Sequence, residues 1–422
     1  MNKYLFLIVN LLFLFIYSES FGQFQIDAQL RNRLELRNGY KQLIAENQQT
    51  AAFISQRTRL TFLFQNENLK LKISPQDVRV WGDEQLGSSS GVMGDNASVD
   101  IHEAYAELKL NSKASISVGR QELVYDNEWL LAARNWNQNG LTYDAALLKL
   151  ALNSVSIHLA SSWNSTAETV QDNFYATDRI KSLNFLWIDK KVNENLEASF
   201  SYLATGVTKT ATSNALRFKH TGGLYANYKS KTLNFRANAY YQIGKNIADN
   251  SVNAFLLDGE FSYIFGNFST GIGTSYLSGD DDLSDNTDAL FDMFYGARHK
   301  YFGHMDYFGN IPKTTKQGGL IDYNAFIKFK ISDKTSLSNY VHYLQLAKTN
   351  LSTPADKNLG FENELALQYK INNWANIQTS YLLFLPTESM KTIQAVNDAK
   401  MQHFFFLQLT INPILFSNSK QE

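Results

Sequence analysis

Along most of the chain, apolar and polar side chains alternate with a period of two residues, which is typical of a β-strand with different surroundings on its two faces. Residues 24–37 show the pattern clearly: one parity carries Phe24, Ile26 and Leu30, and the other carries aspartate, glutamate, glutamine and arginine. The alternation returns in about eighteen segments of roughly 9–14 residues, a length that suits tilted strands crossing a bilayer. The pattern therefore predicts an all-β protein whose strands meet two solvents.

The connections between these segments are alternately short and long. The short ones are polar turns, such as 66–68, 229–231 and 372–374. The long ones lie at 38–50, 82–98, 121–139, 164–178, 206–213, 244–251, 279–318, 347–358 and 387–399. Short turns on one rim and long loops on the other are typical of outer-membrane barrels with an even strand number. We therefore predict a transmembrane antiparallel β-barrel of about 18 strands, with short periplasmic turns, long extracellular loops and both chain ends on the short-turn side.

Closure into a barrel also satisfies the backbone, because lipid offers no partner for the N–H and C=O groups of an open sheet edge. The alternative is a large secreted β-sandwich, whose strands would alternate too. In a sandwich the apolar face is a protein core, so the same parity would not be expected through so many strands of near-bilayer length. Aromatic residues near strand ends, including Tyr202, Tyr241 and Trp374, agree with girdles at the two membrane interfaces.

The first 22 residues have the features of a signal peptide: Lys3, an apolar run over 4–17, and Ser20-Phe21-Gly22 as a small-x-small cleavage signal. An uncleaved helical anchor is the alternative, but about fourteen apolar residues are short against the roughly 20 that a membrane helix needs. We expect residues 1–22 to be removed on export, and residues 23–422 to form a single barrel domain in the outer membrane.

Composition narrows the possible partners. The chain has no cysteine, so it can form neither a disulfide nor a thiolate site. Its 39 basic and 40 acidic residues give a net charge of -1, and no nucleic-acid partner is expected from that balance. The expected partners are the lipid bilayer, the barrel assembly machinery that would insert the chain, and a solute.

The interior of a barrel of about eighteen strands is too wide for side chains to fill, so a water-filled lumen narrowed by loops is expected. Six arginines on the inward parity are candidates for lining it: Arg31, Arg33, Arg57, Arg59, Arg217 and Arg236. Rings of basic side chains select anions, because the guanidinium group pairs well with carboxylate and phosphate. A purely structural network is the alternative, since inward carboxylates such as Glu35, Asp258 and Glu362 are equally plentiful.

The alternation breaks over 75–81, where the parity flips and Pro75 predicts a bulge or a strand edge. Such a bulge would aim Gln76, Asp77 and Arg79 at a constriction. A simple distortion of the rim is the alternative.

The stretch FYGARHKYFGHMDYFG, 294–309, invites a metal hypothesis because it carries two histidines and an aspartate. Their spacing of five residues is not the helical pair of a zinc protease. The acidic run 279–286 also fails as an EF-hand, since Asp285 replaces the required glycine and Phe291 the required glutamate. Loose cation binding by this acidic loop remains an alternative. No nucleophile and base are evidently paired, so neither a metal, a cofactor nor catalysis is expected.

Several motifs carry a family likeness. They are Gly119-Arg120-Gln121-Glu122-Leu123, Arg134-Asn135-Trp136-Asn137-Gln138-Asn139-Gly140, Tyr143-Asp144-Ala145, His299-Lys300 and Gly303-His304-Met305-Asp306-Tyr307-Phe308. With them, nearly the whole mature chain resembles the alginate-export family of outer-membrane barrels. The resemblance implies a porin-like barrel that passes anionic polysaccharide or related solutes through an arginine-lined constriction gated by loops, with Arg120 in that constriction. The chain departs from the family at Leu141-Thr142 and in its polar C-terminal tail.

The stretch 294–309 belongs to the longest predicted connection, 279–318. This connection is too long for a simple turn and too rich in aromatic residues for a loop that is fully exposed to water. We expect it to fold inward as a lid or plug, through charged groups that pair with the wall: His299, Lys300, His304 and Asp306. The sequence thus predicts a passive, porin-like channel for anionic solutes, including an acidic polysaccharide such as alginate. The alternative is a non-conducting barrel with a structural or surface-binding role.

Overall fold

The computed structural model describes residues 22–82 and 99–418. The predicted signal peptide therefore lies outside the described residues, apart from Gly22, as does most of the connection predicted at 82–98. Among the described helices, none is long and apolar enough to cross a membrane.

The described residues form one antiparallel barrel wall of eighteen strands, with two short additional strands. In chain order the strands are β1 (Gln23–Asn38), β2 (Ala51–Gln65), β3 (Leu69–Val80), β4 (Val99–Asn111), β5 (Ala114–Gln121), β6 (Tyr143–Leu152), β7 (Val155–Trp163), β8 (Ser182–Lys191), β9 (Leu196–Thr208), β10 (Leu216–Lys229), β11 (Leu233–Lys245), β12 (Ser251–Phe265), β13 (Phe268–Leu277), β14 (Thr287–Asp288), β15 (Leu320–Lys330), β16 (Thr335–Gln345), β17 (Asn358–Lys370), β18 (Ala375–Pro386), β19 (Gln402–Ile411) and β20 (Ile414–Ser417).

Each wall strand pairs antiparallel with the next, and β1 closes the ring against β19, with Leu30 opposite Ile411. Because β13 pairs directly with β15, the two-residue β14 is a side bridge to β12 and not part of the wall. After Asn412 and Pro413, β20 continues the wall beside the start of β1. The prediction of a closed barrel of about 18 strands is confirmed.

The two faces of the wall differ as the alternation predicts. On β1, Arg31, Arg33 and Glu35 are buried on the inner face. On the outer face large apolar side chains such as Leu257 and Ile272 are about half exposed or more, at 51% and 65%. A continuous apolar surface of this kind is unfavourable in water and favourable in hydrocarbon. Stacked aromatic rings near the short turns, with Phe268 and Phe329 4.4 Å apart, form part of an interfacial girdle.

The bulge predicted near Pro75 exists, but the extra residue is on the neighbouring strand. Ser74 lies opposite Glu103 and Pro75 opposite Ile101, so His102 of β4 has no opposite residue. β3 therefore keeps its parity, and the predicted flip within it is wrong. Because the insertion is on β4, two consecutive side chains there, His102 and Glu103, are both buried.

Two connections fold into the barrel: residues 122–142, here called the first inner loop, and residues 278–319, the long inner loop. The long inner loop contains a 3-10 turn, Arg298–Lys300, and a short helix, Ile311–Thr314; another helix, Glu388–Gln394, lies in the connection after β18. Their buried apolar side chains meet apolar inward residues at the long-loop ends of the strands; the set includes Leu123, Trp129, Leu131, Phe291, Phe302, Met305, Tyr307, Leu256, Leu344 and Phe384. Each such side chain contributes about 1.5–3 kcal/mol by leaving water. The core of the protein thus lies inside the barrel, towards the long-loop rim.

The outer face should tolerate charge at its rim but not at its middle. Leu257→Arg, near the centre of β12, is expected to lower the unfolding free energy by about 2–4 kcal/mol in lipid. Asn253→Arg, on the same face of the same strand but near the rim, should cost about 0–1 kcal/mol. Urea titration of the protein folded in vesicles measures both. Equal costs at the two positions would contradict a lipid-facing band.

Candidate functional site

Arginines of the first two strands point into the barrel and hold the first inner loop. Arg31 lies directly opposite Arg57 in the β1–β2 ladder. The guanidinium of Arg31 donates to Gln138 Oε1 at 2.8 Å, to the carbonyl oxygen of Asn135 at 2.6 Å and to that of Asn137 at 2.9 Å. Arg57 donates to Asn135 Oδ1 at 2.9 Å and to the carbonyl oxygen of Gln138 at 3.3 Å.

Arg33 contributes differently, because it meets both a carboxylate and an aromatic face. Its Nε donates to Glu35 at 2.8 Å, and Nη1 donates to the carbonyl oxygen of Trp136 at 3.0 Å. Its guanidinium carbon also lies 3.8 Å from the centre of the Trp136 ring, a cation–π contact. Trp136 is thereby fixed against the wall.

Arg31, Arg33, Arg57 and Arg59, here called the arginine cluster, are held mainly by neutral groups. Arg59 donates to Gln76 Oε1 at 2.8 and 3.2 Å. Within the described part of the chain, Arg31, Arg57 and Arg59 have no ion-pair partner, whereas Arg33 has Glu35. Carbonyl and amide oxygens orient a guanidinium group but do not neutralise its charge. The cluster therefore leaves excess positive charge on this side of the lumen.

Trp136 joins this cluster to the long inner loop. The ring of His299 stacks on Trp136 at 3.9 Å with an interplanar angle of 7°. His299 Nδ1 lies 2.6 Å from Asp306 Oδ1, the hydroxyl of Tyr40 donates to the other oxygen of Asp306, and Trp136 Nε1 donates to Tyr40 at 3.0 Å. The two loops and the connection after β1 thus share one network.

Further contacts fix the long inner loop to the wall and to the first inner loop. His304 pairs with Glu364 of β17, and the amide of Met305 donates to Glu362 at 3.1 Å. Lys300 pairs with Glu128 at 2.9 Å. Arg134 donates to the carbonyl oxygens of Phe294, Tyr295 and Gly296 at 2.8, 3.1 and 3.0 Å. The long inner loop is therefore an ordered part of the interior.

Burial and neighbouring charge set the protonation of the loop groups. Burial lowers the pKa of His299 despite the nearby Asp306. Burial also opposes protonation of His304, but the carboxylate of Glu364 outweighs it and raises the pKa of His304 to about 9. The pKa of Asp306 stays below its ordinary value, because hydrogen bonds from His299 and Tyr40 outweigh its burial. At neutral pH His304 is thus charged, while His299 is a neutral donor.

A cavity of about 710 Å³ lies between the two inner loops and the β1 side of the wall. Its charged lining is Arg31, Lys41, Arg134, Arg298, Lys300, His299, His304, Glu128, Asp306 and Glu364. Each of the three acids is bonded to a basic side chain of the same lining: Glu128 to Lys300, Asp306 to His299 and Glu364 to His304. Among the described residues, the other four basic groups, Arg31, Lys41, Arg134 and Arg298, have no ion pair. We call this the basic cavity.

The structure places the remaining candidates elsewhere. Arg120 lies on the parity opposite to the buried Ser117 and Gln121, and makes a two-pronged pair with Asp144 at 2.9 and 3.0 Å on the outer face. The constriction role implied by the family resemblance does not fit this position.

Asp77 and Arg79 are also away from the lumen. They lie opposite Thr58 and Gln56, on the face opposite to the inward Arg57 and Arg59, and they pair with each other at 2.6 Å. Their predicted place in a constriction is therefore wrong, because β3 keeps its parity. Gln76, by contrast, does face inward.

The other two predicted lumen arginines, Arg217 and Arg236, lie apart from each other. Arg217 pairs with Asp249 near the long-loop rim at 2.9 Å. Arg236 faces the lumen from β11 and pairs with Glu260 at 3.2 Å. Neither arginine joins the cluster on β1 and β2.

Sequence reasoning did not single out Lys41, Arg134, Arg298 or Glu128 as lining residues. All four lie in irregular connections, where no period indicates which way a side chain points. The available signals were the segments 134–140 and 294–309, which stand out in the sequence but do not indicate which way Arg134 or Arg298 points.

One group among the described residues has the composition of a metal site: His102, Glu103 and Glu122, whose ligand atoms lie within 4.8 Å of one another. His102 is 3.0 Å from Glu122, and Glu103 pairs with Lys72. These pairs satisfy the three side chains without an ion.

Comparison with known proteins agrees with this architecture. The model of the alginate export family matches residues 23–363, well over half of the chain. No curated protein matches the sequence.

Solved structures with a similar fold are outer-membrane proteins. OpdL of Pseudomonas aeruginosa is 13% identical, with a TM-score of 0.63 over 93% of this chain and 99% of that chain. OccAB4 of Acinetobacter baumannii is 13% identical, with a TM-score of 0.62 over 94% and 99%. Identities this low show the fold alone.

The family match and the closed barrel confirm the resemblance drawn from the motifs. The chain belongs to the alginate export family, and it is an outer-membrane β-barrel channel for the passage of solutes.

Proposed function

We propose that the channel is passive and prefers anions, and that the basic cavity is its selective element. The observation that supports this most strongly is the charge balance of the lining. Lys300 and protonated His304 neutralise Glu128 and Glu364, and Asp306 is hydrogen-bonded to the neutral His299. Arg31, Lys41, Arg134 and Arg298 have no ion pair among the described residues, so basic charge exceeds acidic charge in the lining. An entering anion therefore meets more positive than negative charge in the lining.

The surroundings strengthen this preference. Arg57 and Arg59 stand behind Arg31 and add their charge without an ion pair in the described part of the chain. A narrow space between low-dielectric walls concentrates the field of such charges, so one sign of ion is enriched before any close contact forms. The alternative of a purely structural arginine network would require carboxylate partners that these residues do not have.

An acidic polysaccharide such as alginate, after which the family is named, belongs to the anionic solutes that this charge balance would favour. Carboxylates on sugar rings could pair with guanidinium groups in the two-pronged geometry that arginine favours. The charge argument applies equally to smaller carboxylates.

In the same proposal the long inner loop acts as a plug that narrows the lumen. Its buried aromatic side chains and its contacts with Glu362 and Glu364 hold it inside the barrel. The pore is then the space that the plug leaves open beside the arginine cluster.

Removing one unpaired charge should weaken anion preference without disturbing the fold. Lys41→Gln is suited to this because the side chain lines the basic cavity and forms no ion pair among the described residues. We expect the anion-over-cation permeability ratio to fall about fivefold, as loss of roughly 1 kcal/mol of Coulomb energy would give. The zero-current potential of reconstituted channels in a potassium chloride gradient measures the ratio. Lys400→Gln, an exposed lysine outside the cavity lining, is the matched control.

A cation-selective wild-type channel, or a barrel that does not conduct, would refute the proposed function. An unchanged ratio in Lys41→Gln would show that the basic cavity is not the selective element.

The plug should be loosened by a single methyl group at Gly303. This glycine has φ +80°, and a Cβ there would overlap the carboxylate of Glu362. Gly303→Ala should therefore raise single-channel conductance and increase cleavage of the loop by added protease. At Gly309 the nearest atom to a new Cβ would be 3.6 Å away, so Gly309→Ala is the control and should behave as the wild type. Identical behaviour of both variants would argue against a docked plug.

Docking of the plug should weaken at alkaline pH. Protonated His304 stabilises docking fully below its ordinary pKa of about 6.5, and this contribution is lost as the pH rises through about 9. We expect conductance to increase above that pH, and His304→Gln to show raised conductance at neutral pH without the alkaline step. His220→Gln, which changes a histidine on the outer face, should retain the step. A wild-type conductance that is flat through this range would contradict the role of the pair.

A further inference from the structure

Two cavities inside the barrel share Lys300 as a lining residue. One is the basic cavity. The other has a volume of about 340 Å³ and extends along β10 to β13 and β15 towards the short turns, where Lys229 and Asn234 line it. The ammonium group of Lys300 pairs with Glu128 at 2.9 Å. This pair therefore lies at the boundary between the two cavities.

The Lys300–Glu128 pair is the movable part of this boundary. The two side chains are 43% and 23% exposed, and an ion pair in contact with water contributes little to stability. The ammonium group of a lysine lies at the end of a flexible four-carbon side chain, so it can move without any change in the backbone. The pair can thus open by side-chain motion alone.

The backbone around the pair is fixed. The amide of Ala297 donates to the carbonyl oxygen of Glu128 at 2.9 Å, and the rings of Trp129 and Tyr301 stack at 3.8 Å. The hydroxyl of Tyr301 also donates to the carbonyl oxygen of Asn127. Moving the loops apart would break all of these contacts and expose buried aromatic rings.

Basic side chains also line the second cavity, beyond the Lys300–Glu128 pair. Lys229 and Lys328 line the second cavity, and neither has an ion pair within the described residues. Arg236, in contrast, pairs with Glu260. An anion that leaves Lys300 on the inner side therefore meets further cations on its way to the short-turn rim.

We propose that the solute is a small organic anion that replaces Glu128 on Lys300 as it passes between the two cavities, while both inner loops stay in place. This inference rests on the proposed anion preference. The basic cavity has the size of a small-molecule site. A polymer chain would have to hold the Lys300–Glu128 pair open along its whole length, whereas a small anion needs the pair to open only once. Lys300 is then a gating residue, and Glu128 competes with the solute for its ammonium group.

A double-mutant cycle tests the exchange. The probe is sodium glucuronate, and the readout is its rate of entry into vesicles that contain the full-length barrel. Lys300→Gln should slow entry about fivefold, the effect of about one lost short-range charge contact. Glu128→Gln should speed entry in the wild-type background and have a clearly smaller effect when Lys300 is already changed. Equal effects of Glu128→Gln in both backgrounds would overturn the exchange.

The pair Asp281 and Lys348 provides the control, because it is an exposed ion pair of 2.8 Å outside both cavities. Asp281→Asn and Lys348→Gln should leave glucuronate entry unchanged. Heat-dependent gel mobility confirms that every variant forms a barrel, so that a misfolded variant is not counted as a slow one.

A polymer of uronate units distinguishes this inference from the proposed function. A long polyuronate, offered at the same carboxylate concentration, should not appear inside the vesicles. Its entry would overturn the small-solute inference while leaving anion preference intact. Absence of anion preference in a potassium chloride gradient would instead remove the proposed function on which the inference rests.

Discussion

A backbone that crosses lipid must pair every N–H and C=O group within the protein, and this requirement shapes the rest of the structure. In this chain it is met by eighteen wall strands and by the seam between β1 and β19, with β20 extending the seam beyond Asn412 and Pro413. A ring of that many strands cannot be filled by its own inward side chains. Two inner loops fill part of this interior, and their aromatic residues form a core inside the barrel.

The attachment of the inner loops to the wall also determines which charged side chains inside the barrel are paired and which are not. Polar inward positions of the strands must find partners where the loops cover them. Glu362 and Glu364 bind the long inner loop, whereas Arg31 and Arg57 bind the first inner loop through its carbonyl and amide oxygens. Glu364 is paired with protonated His304, whereas Arg31 and Arg57 meet neutral acceptors, which leave their charge in place. The proposed anion preference thus rests on how the loops are attached.

The strands could be predicted from the sequence because alternation is local. A period of two residues placed Arg31, Arg33, Arg57 and Arg59 on the inner face, and the structure has them there. Parity also gives the inward direction of Arg236. Arg120 shows the opposite case, since the family likeness implied a lumen position whereas the alternation of β5 puts it outside.

Other features could not be predicted for physical reasons. The bulge lies on β4, so it cannot be seen in the sequence of β3, and Asp77 and Arg79 were misassigned as a result. Lys41, Arg134 and Arg298 lie in connections without a period, and their directions depend on tertiary contacts. The long inner loop was recognisable by its length and its aromatic content, but its attachment through Trp136 and Tyr40 depends on residues distant in sequence.

Amide hydrogen exchange of the intact barrel in lipid tests the central claim most directly, namely that the inner loops are fixed and the pore is the space beside them. The account predicts that amides of 291–308 exchange slowly, as those of the neighbouring strands do, while the connection 164–181 exchanges fast. Fast exchange throughout 291–308 would contradict it.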